Sequence, residues 1–201
     1  MNTNAYTVVA RQFLRNLSAP NLYLEIFTSI KNPMNKELSI LKPKEAGLGG
    51  RSQILVSGET VDDIFDFFTV EDSKMGAWQA LLLKKSVYVL PLWWHANYEK
   101  IAFVFENRDI SLRREGFFHA RNSTRYKVDR EDIIRSLQNQ HKNVEPIVEK
   151  KGDAYHVNFC YWNDWSGLVN ESVTITINNG KPIFGESHEE ILYKYNCGIL
   201  F

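Results

Sequence analysis

The last third of the chain contains the feature that most restricts its fold, an Asn179-Gly180 pair between two strand-like segments. Apolar residues alternate with threonines over residues 173–177, and Ile183 and Phe184 follow the pair. Asn-Gly readily adopts the two positive φ angles of a tight turn whose twist suits antiparallel strands. We therefore expect an antiparallel hairpin here, with one face of its strands buried.

The remaining periodicities predict an α+β fold, a mainly antiparallel curved sheet packed against about four helices. Helices are expected over 6–17, 60–68 and 73–85 and from residue 129 onward. Strands are expected over 22–30, 38–41, 54–56, 87–94, 101–106, 110–118, 145–150 and 154–162, and on both sides of the hairpin turn, over 173–177 and 183–184. Segment 187–197 fits both a capped helix and an alternating strand, so both alternatives stay open. We expect one domain over 1–201, with a subdomain boundary near 121–130 as the alternative.

Composition excludes some classes of function. The 24 basic and 24 acidic residues cancel, so the chain has no global basic field for nucleic acid or an anionic membrane. No apolar run approaches the ~20 residues of a membrane span, and no signal-peptide pattern is present. Two cysteines form no disulfide framework and suit a reducing compartment. These features predict a soluble, cytoplasmic protein.

Four of the five tryptophans lie in two close pairs at the ends of predicted strands. Trp93 and Trp94 precede His95, whereas Trp162 and Trp165 are separated by Asn-Asp. Because adjacent strand residues point to opposite faces, only one ring of the first pair can face the core. We expect the other ring to be exposed, shielded by another element or at an interface, and we take this as a hint of a ligand or partner surface. The second pair has a structural alternative, a turn that joins two strands.

The strand predicted over 154–162 separates its residues by face. Its odd-numbered residues are aromatic or apolar, whereas His156, Asn158, Cys160 and Trp162 share the other face. If a helix covers that second face, it would have the mixed lining of a small-molecule pocket.

Residues 108–130 hold seven basic and three acidic side chains, interleaved with aromatic residues. Arginine beside aromatic rings suits phosphate groups or single-stranded nucleic acid. The candidate ligand contacts are Arg113, Arg114, Arg121 and Arg125. His119 is a candidate acid or base beside them. The alternative is that the arginine stems cover apolar surface and pair with the acidic residues of 59–72.

Cys160 is the candidate nucleophile, and His156 lies on the same strand face. Four residues along a strand span ~13 Å, so His156 could not activate the thiol, and a base would have to come from elsewhere. The alternative is a buried structural cysteine. The Gly-rich segment 47–52 lacks the ending of a phosphate loop, and no zinc-ligand spacing is present, so we predict neither a metal nor a cofactor.

The sequence therefore favours a non-catalytic binding or interaction module with an aromatic patch, and leaves open whether the protein is an enzyme. Its partner would be a protein or a small molecule, with self-association as a further option. The alternative is a protein or enzyme that binds a phosphorylated ligand or nucleic acid through the Arg-rich stretch 108–130.

Overall fold

The computed structural model describes residues 4–16, 28–34, 36, 38–41, 53–89, 101–113, 130–163 and 166–194. They form three α-helices, α1 (Ala5–Asn16), α2 (Lys74–Val89) and α3 (Arg130–Asn139), and two 3-10 helices, Ile64–Asp66 and Asn107–Arg113. The strands are β1 (Ile30–Lys31), β2 (Leu38–Leu41), β3 (Gln53–Val56), β4 (Glu59–Thr60), β5 (Thr69–Val70), β6 (Ala102–Val104), β7 (Ile147–Lys151), β8 (Ala154–Asn163), β9 (Gly167–Asn178) and β10 (Lys181–Lys194). The predicted α+β class and antiparallel sheet are confirmed, whereas the count of about four helices and the curvature remain predictions.

The largest sheet has five antiparallel strands. Its order is β10-β9-β8-β6, and β7 pairs with the first half of β8 while β6 pairs with the second half. Asn179 and Gly180 have φ angles of 51° and 82° and join β9 to β10, so the predicted hairpin is confirmed. Two small sheets, β1-β5 and β2-β3-β4, complete the described strands.

Helices cover the two faces of the five-stranded sheet unequally. On the first face, which we call the α2 face, α2 packs against aromatic and apolar residues of β8 and β9, and α1 packs on α2 and adds Ala10 and Phe13 to the same core. Trp78 of α2 is fully buried there, and its ring contacts Tyr6, Phe105 and Phe159 edge-on at 6.2 to 6.4 Å. The opposite face, the α3 face, is packed by α3 only near Cys160.

Three predicted elements are corrected. The segment after Thr60 forms one 3-10 turn instead of a helix, because the Asp63 carboxylate accepts from the Phe65 N–H and the chain then enters β5. Helix α2 continues to Val89, so residues 87–89 are helical and not the start of a strand. Residues 110–113 belong to a 3-10 helix and not to a strand, since Asp109 accepts from two backbone N–H groups directly after β6.

Segment 187–194, which the sequence left open, is strand. Pairing with β9 decides the conformation, and two register shifts in β10 accommodate its irregular pattern. No helix formed by the described residues is long and apolar enough to cross a membrane.

Candidate binding surface

A strip of polar side chains lies on the α3 face, beyond the part that α3 covers. It consists of His156 and Asn158 on β8 and of Asn170, Ser172 and Thr174 on β9, and we call it the polar strip. All five side chains are partly exposed. The strand alternation predicted for 154–162 is confirmed, because the odd-numbered residues of β8 lie in the α2-face core. Among the described residues, α3 covers only part of the second face, so the strip stays partly exposed.

Cross-strand hydrogen bonds hold the polar strip in place. The Ser172 hydroxyl donates to the Asn158 amide oxygen, and Thr174 Oγ1 lies 3.4 Å from His156 Nδ1. These side chains are directly opposite each other in the register of β8 and β9. Paired polar groups of this kind keep fixed directions, so a ligand on the strip would meet a preformed set of donors and acceptors.

The strip continues onto β10, which is the edge strand of the described sheet. His188 lies opposite Ser172 and Glu190 lies opposite Asn170. Lys142, just after α3, forms an ion pair with Glu190 at 2.7 Å.

The middle of β10 is exposed on both faces of the sheet. All seven residues of 185–191, which we call the edge segment, are exposed. Ile191 at its end is 53% exposed, and Ile183 just before it is 51% exposed. From the α3 side, Lys142 reaches the edge segment at Glu190, and the residues of the segment nevertheless remain exposed.

Cys160 lies at the closed end of the α3 face and is 1% exposed. Burial raises the pKa of its thiol to about 11, although a hydrogen bond from the Asn170 amide at 3.5 Å acts in the opposite direction. A thiol with a raised pKa is almost entirely protonated at neutral pH and is a poor nucleophile. This geometry favours the structural alternative for Cys160.

Trp162 also lies at the closed end of the α3 face. Its side chain is 5% exposed and packs in the cluster that holds Ile133 and Leu168. Asn163 accepts from the Ser166 backbone N–H at 3.3 Å, where the chain turns from β8 into β9. Trp162 therefore contributes to the core in this structure, which agrees with the turn alternative for its motif.

Most other candidate residues fall outside the part of the chain that the structure describes. They are Trp93, Trp94, His95, Arg114, His119, Arg121, Arg125 and Trp165. Arg113 is the last residue of a 3-10 helix, and its side chain is not described. Whether the tryptophan pairs and the arginines converge on one site stays a prediction.

A buried ion pair on the α2 face was missed by the sequence reasoning. The Glu171 carboxylate on β9 is 1% exposed and accepts from the Lys85 ammonium of α2 at 2.8 and 2.9 Å. Beside it, the Tyr161 hydroxyl donates to Glu189 of β10 at 2.8 Å, and burial together with that carboxylate raises the pKa of Tyr161. The available signal was an acidic residue at a core-facing position between Val169 and Val173.

The acidic residues around the 3-10 turn have a structural role. Asp63 and Asp66 both form ion pairs with Lys181 at the start of β10. Within the described ranges, no group of three or more His, Cys, Asp or Glu side chains is arranged to hold a metal ion.

The comparisons give no relative from which a role could be transferred. No protein-family model, no curated protein and no solved structure matches the chain. Function therefore has to be argued from the surfaces themselves.

Proposed function

We propose that the protein is a non-catalytic binding module of the cytoplasm, whose partner docks along the edge segment and the adjoining polar strip. The observation that supports this proposal is the exposure of residues 185–191 on both faces of the sheet. An edge strand offers a row of backbone donors and acceptors to a further strand. Because all seven residues of the edge segment are exposed, an added strand could reach this edge.

Strand addition gives such a site both affinity and selectivity. Backbone hydrogen bonds to the edge give affinity, and side chains on alternate positions of the added strand contact the two faces separately. On the α3 face the added strand would lie next to His188 and Glu190, and through them next to the polar strip. On the α2 face it would lie next to Ile191, whose exposed side chain would lose water contact.

A pair of proline variants tests the proposal. Backbone N–H groups of adjacent strand residues point to opposite edges of the strand. Of Ser187→Pro and His188→Pro, one therefore removes an N–H that faces β9, and the other, which we call the outward variant, removes an N–H that faces away from the sheet. Thermal unfolding identifies the outward variant as the more stable of the two, and Glu145→Ala, an exposed change outside the sheet, is the control.

The readout is affinity capture from the source cells with quantitative mass spectrometry. We expect proteins that the wild type and the Glu145→Ala control enrich equally and that the outward proline variant loses. If the outward variant retains every captured protein, or if the wild type enriches none, the proposal is wrong.

The aromatic pair Trp93-Trp94 is proposed as a second part of the binding surface. Since Trp162 is buried, replacing it would destabilise the core and confuse the result. Trp94→Ala alone is the better variant, and we expect it to weaken capture of the same proteins without lowering the unfolding temperature.

The second candidate function is binding of a phosphorylated ligand or nucleic acid. The local surplus of basic residues over 108–130 supports it, although within this stretch Arg108 forms an ion pair with Glu106 at 2.5 Å. Thermal-shift assays with nucleotides and oligonucleotides at low and high salt test it. Stabilisation that weakens with salt would support this function, and no stabilisation across the panel would exclude it.

A further inference from the structure

The edge segment carries three carboxylates on seven residues, Glu186, Glu189 and Glu190, and no lysine or arginine. Lys142, outside the segment, forms an ion pair with Glu190 at 2.7 Å, so part of this negative charge is already balanced. We infer that its partner is a basic, extended polypeptide segment that adds to β10 as a further strand. This inference rests on the proposed function and specifies the chemistry of the partner.

The two faces of the edge segment would select different side chains. On the α3 face, His188 and Glu190 alternate, and both are exposed. On the α2 face, the Glu189 carboxylate already accepts from the Tyr161 hydroxyl, and Ile191 follows it with half of its surface in water. A partner strand with lysine or arginine toward the α3 face and apolar residues toward the α2 face complements both.

The charge of the edge segment also favours a basic partner over a second copy of this chain. Two copies of β10 paired edge to edge would bring their glutamates close to one another, and like charges on neighbouring strands destabilise a sheet. Acidic residues on an edge strand likewise discourage neutral and acidic strands from pairing. The same three carboxylates therefore reject most strands and attract a basic one.

The test uses two synthetic peptides, one that alternates lysine with valine and one that alternates glutamate with valine. Affinity is measured by fluorescence anisotropy at low and high salt, and the site by hydrogen exchange of backbone amides. We expect the lysine peptide to bind about tenfold more tightly than the glutamate peptide at low salt, with less discrimination at high salt. Added protection should fall on residues 185–191.

Matched charge variants locate the effect. Glu186→Lys with Glu190→Lys changes the edge segment, and Glu145→Lys with Asp153→Lys makes the same change in net charge at exposed positions outside β10. We expect the first double variant to lose or reverse the preference for the lysine peptide, and the second to keep it. Equal loss in both would show attraction to overall charge alone and would overturn the inference.

The remaining outcomes separate this inference from the proposed function. Suppose that neither peptide protects the edge segment but the capture of proteins is still lost in the outward proline variant. The inference of a basic partner strand is then wrong, and the proposed function as a binding module is kept. Equal binding of both peptides would likewise overturn the inference of a basic partner and leave the proposed function in place. A dimer in sedimentation experiments that the outward proline variant abolishes would identify a second copy as the occupant and overturn the inference. Failure of both the peptides and the capture would overturn the inference and the proposed function together.

Discussion

The α2 face and the α3 face belong to the same strands but differ in how much of each face is buried by helices. On the α2 face, Tyr155, Val157, Phe159 and Tyr161 of β8 are buried in the core that α2 covers. On the α3 face, the described strands are buried at the end that holds Cys160 and Trp162, and the polar strip begins at Asn170, directly opposite Cys160. Alternation alone decides which residues share a face. The helices decide which face becomes core and where a surface remains for binding.

The largest effect is expected on the closed face, at the ion pair of Lys85 and Glu171. Lys85→Met leaves the buried carboxylate without its partner, and we expect the free energy of unfolding to fall by about 3–5 kcal/mol. Urea denaturation measures the loss. Replacing Glu171 by Leu in the same chain removes the stranded charge and should restore most of the stability. A loss below about 1 kcal/mol for Lys85→Met would mean that water reaches Glu171 and that the α2 face is not closed there.

Helix α3 provides the next prediction, because it covers the closed end of the other face. Ile133 is fully buried and Ile134 is only partly buried. We expect Ile133→Ala to lower the free energy of unfolding by about 2–4 kcal/mol. Its neighbour offers a matched control, since Ile134→Ala removes the same atoms from a partly buried site and should cost less than half as much. Equal losses would indicate that the core on the α3 face extends to Ile134 and that α3 covers more of the sheet than Cys160 and Trp162.

Sequence patterns predicted the parts of the fold that depend on residues close together in the chain. The turn at Asn179-Gly180 and the two faces of β8 follow from backbone preferences and from period-two alternation. The partner of Glu171 could not be read from the sequence, because Lys85 lies 86 positions away on a helix of a different layer. Helix α2 also runs through the β-branched residues Val87 and Val89, although their intrinsic propensity favours a strand.

The candidate surface was only half predictable for the same reason. The sequence identified His156 and Asn158 as sharing a strand face with Cys160, and the register of β8 and β9 placed them in the polar strip. The edge segment was missed, because residues 187–194 satisfy a helix cap and a strand pattern equally well. Pairing with β9, which neither local pattern contains, decides in favour of strand.

Cys160 tests whether the α3 face is closed at this end. With Cys197→Ser as the background, Cys160 is the one thiol left in the chain. A pKa of about 11 leaves roughly one thiol in a thousand ionised at pH 8, compared with about a quarter in an unfolded chain. We expect alkylation, followed by mass spectrometry, to be at least about a hundredfold slower in the folded protein than in urea. Rapid alkylation at neutral pH would contradict the closed end and would favour a nucleophilic Cys160.

The smallest effect is expected on the open half of the α3 face, where Thr174 and Val173 offer a matched pair. They are adjacent on β9 and point to opposite faces, with Val173 4% exposed and Thr174 partly exposed. Thr174→Val should change the free energy of unfolding by less than about 0.5 kcal/mol, since water can replace the contact with His156. Val173→Thr places a hydroxyl in the α2-face core and should cost about 1–3 kcal/mol. If thermal and urea unfolding gave the two variants similar losses, the polar strip would have to be covered as fully as the core. A partner strand on β10 could then reach the edge segment but not the strip.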